Sequence, residues 1–226
     1  MNRKEVKVCI PPNLGWLDYR LSKKEMDYVW RCIDNRKKDM RDGLAGNITE
    51  SKKLIDHGDW FWLNVVKPLT DVYAEQFTNM GNFVPTGNYT HPYFMKSWWV
   101  NYQKKHEFNP MHSHDGVYSY VIWMKIPEGI SCKKQNQGYI TNSPMKATFQ
   151  MSYVNILGQP EGFKFELEPE DEGRMIFFPS RLYHAVYPFY NCDEDRISVS
   201  GNILVDIKRK LLRFFLLVKE DFLEEN

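Results

Sequence analysis

Two stretches of the chain hold the side chains that could do chemistry. In FNPMHSHDGVYSYVIWMKIPEG, residues 108–129, His112 and His114 stand two apart, with Asp115 directly after the second. Residues two apart on a strand project from the same face, so both imidazoles can reach one point while Ser113 and Asp115 turn away. Asp115 replaces His114 in such a cluster only if the strand breaks at His114, which Gly116 permits; alternation favours His114. Imidazole suits iron, zinc, copper and nickel, although a lone HxH also describes a chance pair. About seventy residues on, GRMIFFPSRLYHAVYPF supplies His184 on a second predicted strand, after a Pro-containing turn. Three histidines from two strands of a small barrel can occupy one face of an octahedron and leave other positions open. DEDRISVSGN follows, with Arg196 twelve residues beyond His184 and Ser198 two beyond Arg196, again on one strand face. A guanidinium fork matches a carboxylate bidentately, and a serine hydroxyl can donate to the same group. The alternative for Arg196 is a surface ion pair with Asp193 or Asp195.

These residues need a scaffold, and the chain supplies two textures. Residues 21–40 open on Ser22 with Glu25 three positions later, a capping-box pattern, and Met26, Val29, Trp30 and Ile33 recur at helical spacing. A second helical pattern begins at WFWLNVVKPL and ends at Gly81, with Pro68 expected to kink or split it. From about residue 94 short runs rich in Val, Ile, Tyr, Phe and Trp take over, separated by Gly, Pro, Asn and Asp. About seven or eight such strands predict a mainly β fold, a double-stranded β-helix or jelly roll with flanking helices. The expected organisation is one domain over 1–226: mainly helical support at 1–93, the β-helix core at 94–205 and a C-terminal helix at 206–226. Trp98, Trp99 and Trp123 are expected in the core, with a pocket wall as the alternative.

Composition narrows the functions. Lys+Arg is 30 against Asp+Glu 29, so no charge excess suits a nucleic-acid polymer or acidic lipid. The start MNRKEVKVCIPPN lacks the apolar core of a secretory signal, and no apolar run reaches the ~20 residues of a membrane span. Cys9, Cys32, Cys132 and Cys192 show no CxxC spacing, and reduced thiols in a cytoplasmic setting are the expectation.

The order of motifs resembles a known family. HxH, a strand-rich interval, FFPSxLxHxVxPF and RISxSGN are similar to the 2-oxoglutarate and Fe(II)-dependent oxygenases common in tailed-phage genomes, relatives of the prolyl hydroxylases. LAGNI at 44–48, WWVNYQKKHEFNPMHSH at 98–114, YSYVIWMKIP at 118–127 and FQMSYVNILGQPEG at 149–162 extend the likeness over most of the chain. The resemblance implies Fe(II) held by His112, His114 and His184, and 2-oxoglutarate gripped by Arg196 with Ser198. It implies Tyr102 as an aromatic hydroxyl beside the co-substrate, with Tyr153 and Asn155 as further pocket residues. Dioxygen and a prime substrate, a protein or peptide side chain among the options, are the implied partners; the setting is cytoplasmic, or the host cytoplasm for a viral protein. The wider superfamily has a carboxylate two residues after the first histidine, where this chain has His114, so its ligand set would carry one less negative charge. Two other classes remain open. A cupin-type metal protein shares HxH and a distal histidine but usually adds a Glu where this chain has Tyr118. A catalytically inert jelly-roll binding module would not need Arg196 to face a metal. No oligomeric state is legible in the sequence.

Overall fold

A computed structural model describes residues 13–35, 38–39, 46–83, 92–131 and 143–206. Most of the expected C-terminal helix lies outside these residues.

The described strands form two antiparallel sheets. The larger has the order β1 (Leu17–Arg20), β9 (Arg174–Pro179), β6 (Tyr118–Lys125), β11 (Arg196–Val205), β4 (Tyr93–Gln103), β3 (Glu50–Lys53) and β2 (Lys38–Asp39). The smaller runs β5 (Asn109–His112), β10 (Tyr183–Val186), β7 (Phe149–Val154) and β8 (Pro160–Phe165). From β4 to β11 the chain alternates between the sheets except at the β7–β8 hairpin, which stays within the smaller one, a pattern in keeping with a double-stranded β-helix.

Helix α1 (Lys23–Asp34) begins at a complete capping box: Glu25 N–H donates to Ser22 Oγ, and the Ser22 N–H donates to the Glu25 carboxylate. Farther on, a π-helical turn at Trp62–Val66 leads into α2 (Lys67–Gln76), where Pro68 occupies the first turn. Helical backbone is continuous from Trp60 to Gln76, so Pro68 sits within it, and the π-helical turn directly before the proline is where the regular α pattern is interrupted. The N-terminal segment is less purely helical than its pattern predicts, because β1, β2 and β3 extend both edges of the larger sheet. These strands have two to four residues, too few for alternation to register.

The larger sheet is covered on both faces, which explains the unbroken burial of β6 from Tyr118 to Met124. One face packs against the helices: Val29, Ile33, Phe61, Val66 and Tyr73 meet Trp98, Val100, Tyr120, Phe177, Val199 and Ile203. The other looks into the space between the sheets, and its character changes across its width. On β6 and β9 it presents Val121, Trp123, Ile176 and Phe178, which pack with Phe149, Met151 and Phe165 of the smaller sheet. On β4 and β11 it presents Ser97, Trp99, Asn101 and Gln103 opposite Asn202, Ser200, Ser198 and Arg196. A fully apolar interior would simply close. This polar half keeps a cavity of about 350 Å³ open.

Candidate metal and co-substrate site

The three histidines converge at one end of that cavity. His112 ends β5 and pairs directly with His184 on β10, so register fixes these two. His114 lies beyond the end of β5, and its position does not come from strand alternation as its spacing suggests. Its backbone N–H donates to Ser180 O at 2.8 Å, tying the 113–117 connection to the turn before β10. One ring nitrogen from each histidine lies within 4.8 Å of the others, and Nε2 of His114 and His184 are 3.2 Å apart. Two imidazole nitrogens about 2.1 Å from a shared ion at a right angle would be about 3 Å apart. Asp115 lines the cavity mouth and is exposed, outside the cluster.

The chemistry of this donor set fits a divalent transition metal. Nδ1 of His112 donates to Pro110 O at 2.7 Å, and Nδ1 of His184 to Leu182 O at 2.9 Å. A carbonyl only accepts, so both rings hold their proton on Nδ1 and leave Nε2 as the ligating atom. Burial pulls all three pKa values down, and positive charge on His112 adds to the effect on the other two. His114 falls to about 4 and His184 to about 3. At neutral pH the cluster is therefore three uncharged imidazoles. Phe149 and Phe178 pack against the His184 ring and hold its orientation.

Arg196 and Ser198 line the same cavity, together with Asn101, Gln103 and Trp99. Arg196 is 2% exposed, which rules against the alternative of a surface ion pair; Asp193 pairs with Lys105. Its Nη1 donates to Ala147 O at 2.6 Å, and Nε and Nη2 donate to Gln103 Oε1 at 3.0 and 2.6 Å. Ala147 sits at φ 61°, in the left-handed region, with its carbonyl turned to the guanidinium.

Three residues expected near the co-substrate are elsewhere. Tyr102 is on the opposite face of β4, packed against the helical core, because the odd-numbered Asn101 and Gln103 take the cavity side. Tyr153 donates to Glu161 across the β7–β8 hairpin, and Asn155 is spent holding the hairpin turn, accepting from Leu157 and Gln159 N–H and donating to Glu161. Sequence reasoning passed over Gln103 and Asn101, although strand alternation opposite RISVS was signal enough to find them. Trp99 and Trp123 reach the cavity, while Trp98 belongs to the helical core.

Residues 97–202 match the family model described as "Putative 2OG-Fe(II) oxygenase". The match is to a 2OG-Fe(II) oxygenase domain, a family whose cofactors are Fe(II) and 2-oxoglutarate, and the histidine triad lies within the matched residues. Among solved structures the chain is similar to a prolyl-4-hydroxylase from Pseudomonas putida at 16% identity and a TM-score of 0.48, covering 85% of this chain and 94% of that one. It is also similar to a Trichoplax adhaerens prolyl hydroxylase in complex with a hypoxia inducible factor peptide fragment, at 12% identity and a TM-score of 0.48, covering 87% and 86%. HygX from Streptomyces hygroscopicus, with nickel, 2-oxoglutarate and hygromycin B bound, is similar at 11% identity and a TM-score of 0.44, covering 86% and 84%. No curated protein matches the chain. Among the described residues no helix is long and apolar enough to cross a membrane.

Proposed function

We propose that His112, His114 and His184 hold the Fe(II) of this oxygenase, that Arg196 and Ser198 hold the distal carboxylate of 2-oxoglutarate, and that the reaction hydroxylates a single residue or small group presented at the cavity mouth. The observation that carries the reading is that the histidine cluster and the buried guanidinium line one cavity. When bound, the two cofactors supply the oxidation: dioxygen is consumed, 2-oxoglutarate leaves as succinate and CO2, and the second oxygen atom goes to a substrate C–H bond. The chain's part is to bind and to exclude water. Neutral imidazoles offer lone pairs, Arg196 offers charge at the far end, and the aromatic wall of Trp123, Phe149 and Phe178 keeps the space between dry.

With a co-substrate lying between the triad and Arg196, what remains of about 350 Å³ suits a side chain and excludes a folded surface. A protein or peptide substrate would therefore present one residue. The mouth, with Lys96, Asn109 and Asp115, suits a polar approach. The helical layer and both sheets act as one unit in this reading, since one core joins the helices to the larger sheet and a second joins the larger sheet to the smaller. A cupin or an inert jelly roll has no use for a buried arginine at the cavity floor.

The test needs no substrate. Purified protein given 2-oxoglutarate should form succinate slowly, in a reaction that requires Fe(II) and dioxygen, is suppressed by N-oxalylglycine and is lost in His184→Ala. Bound Fe(II) without any affinity for 2-oxoglutarate would move the reading to a cupin-type metal protein.

A further inference from the structure

Past the histidines, on the side away from Arg196, the cavity has a second polar end that neither the metal nor the co-substrate uses. The β4–β11 register sets its place. Gln103 faces Arg196, Asn101 faces Ser198, Trp99 faces Ser200 and Ser97 faces Asn202, each pair one row farther along. Rows on one face of a strand pair are about 7 Å apart. The Trp99 and His114 rings meet with centroids 6.2 Å apart, which puts the Trp99 row level with the histidine cluster. Arg196 is therefore two rows to one side. Asn202 and Ser97 are one row to the other, with Lys96 and Asp115 at the mouth. A co-substrate stretching from the histidines to Arg196 leaves this last row to the prime substrate.

The Asn202 amide has one orientation. Ser180 is fully buried, and among the described residues its hydroxyl has a single partner, Ser119 Oγ at 2.9 Å. The Ser180 proton goes to Ser119, because a buried hydroxyl proton left without an acceptor is costly. Ser119 then passes its own proton to Asn202 Oδ1 at 2.8 Å. The carbonyl side of the amide is thus taken, and Nδ2 remains as a pure donor with no partner among the described residues. The Ser97 hydroxyl opposite it is likewise without a partner among them, and a hydroxyl accepts as well as donates. A donor and an acceptor side by side match the C=O and N–H of an amide.

The rim gives a second, independent sign. The chain leads from Ala147, whose carbonyl meets Arg196, through Met151, which pairs with His184, to a turn at 155–158. The tip of the β7–β8 hairpin therefore stands at the same end as Asn202. It carries Ile156 and Leu157, 79% and 76% exposed, on a turn held by the Asn155 side chain. Apolar side chains displayed beside a polar mouth suit a partner with apolar flanks and a polar backbone between them.

We propose that Asn202 and Ser97 form the recognition site for a peptide amide of the prime substrate. Nδ2 of Asn202 donates to the amide carbonyl, Ser97 Oγ accepts the N–H, and an apolar residue beside the target rests on Ile156 and Leu157. The inference rests on the reading of the histidines and Arg196 as the Fe(II) and 2-oxoglutarate site. It goes beyond that reading by naming the residues that choose the substrate and the group they choose.

The experiment compares full-length wild type, Asn202→Asp and Asn202→Leu, each loaded with Mn(II) and 2-oxoglutarate under anaerobic conditions. The probes are N-acetyl-leucyl-X methylamides, with X each uncharged amino acid in turn, and uridine as a carbonyl-bearing ligand of another class. The readout is the paramagnetic relaxation of probe protons by Mn(II), which falls steeply with distance and needs no turnover. At least one peptide probe should bind wild type with the protons of X relaxed most. Its affinity should fall about fivefold in Asn202→Leu, the loss of one neutral hydrogen bond, and about tenfold in Asn202→Asp, where an acceptor would face the carbonyl. 2-Oxoglutarate affinity by calorimetry should stay within about threefold in Asn202→Leu. Asn202→Asp should melt as wild type does, since Ser119 keeps its acceptor, and it decides the matter if the leucine variant does not fold. Unchanged probe affinity in the folded variants overturns the role of Asn202. Relaxation of no peptide probe, or of uridine alone, overturns the peptide class. A wild type that binds Mn(II) but no 2-oxoglutarate overturns the site reading instead.

Discussion

Truncating Arg196 to Ala removes a fork that is 2% exposed and bonded to Gln103, Ala147 and Tyr187. Two costs follow, and they fall on different measurements. For the folded protein, Gln103 Oε1 and Ala147 O lose their donors, which costs about 1–3 kcal/mol for a group left buried and unsatisfied. The cavity is open to solvent at its mouth, so water can refill the space, and the loss should fall at the low end of that range. For 2-oxoglutarate the cost is larger. Removing one member of a buried, hydrogen-bonded charge pair costs about 2–5 kcal/mol, and each 1.4 kcal/mol is tenfold in Kd. Arg196→Ala should therefore bind 2-oxoglutarate roughly thirtyfold to several-thousandfold more weakly, measured by anaerobic calorimetry on Mn(II)-loaded protein, with metal stoichiometry unchanged. Arg196→Lys should recover only part of this, because a point charge cannot reproduce a bidentate fork. Co-substrate affinity within threefold of wild type in Arg196→Ala would refute the assignment.

Metal analysis of His114→Ala and Asp115→Asn separates the two neighbours: the histidine variant should lose metal, and the exposed aspartate variant should retain one ion per chain. Tyr102→Phe should keep 2-oxoglutarate affinity within about twofold, because its ring lies on the helical side of β4; a tenfold loss would return the hydroxyl to the co-substrate. Gly201→Ala should lower the melting temperature. A Cβ there would stand 2.4 Å from the Tyr120 ring, itself 1% exposed and packed near Phe61, and overpacking of this sort costs about 1–3 kcal/mol. Unchanged melting would show that the sheet can shift at that point.

The sequence was most legible where one rule governed one segment. The capping box at Ser22 and Glu25 and the alternation through RISVSGN both reappear in the structure. The β-helix strands were readable because their apolar runs end at turn residues. What escaped was whatever depended on which face looks inward. Tyr102 and Gln103 are neighbours, and the family resemblance pointed to the tyrosine as a pocket hydroxyl; the pairing of Gln103 with Arg196 puts the glutamine on the cavity side. The strand that carries His112 is only four residues long with Pro110 inside it, so the alternation expected through His114 stops short of it. Within LAGNI, the role of Gly46 becomes physical only in three dimensions. A Cβ on Gly46 would stand 1.4 Å from Asn109 Oδ1, so the glycine lets this connection cross beside the cavity mouth.

The pairing of His112 with His184 joins positions 72 residues apart in the chain. Closing so long a segment carries an entropic cost that local hairpins such as β7–β8 do not meet. The order of assembly follows: the hairpin can form early, whereas the two histidines face each other only once the smaller sheet is complete. An ion held by both recognises the finished sheet and nothing before it. At a free concentration one hundredfold above its Kd, such an ion adds about 2.7 kcal/mol to the folded state. The same ion that serves turnover would then act as a clasp on the barrel, so that iron scarcity shortens the life of the protein as well as silencing it.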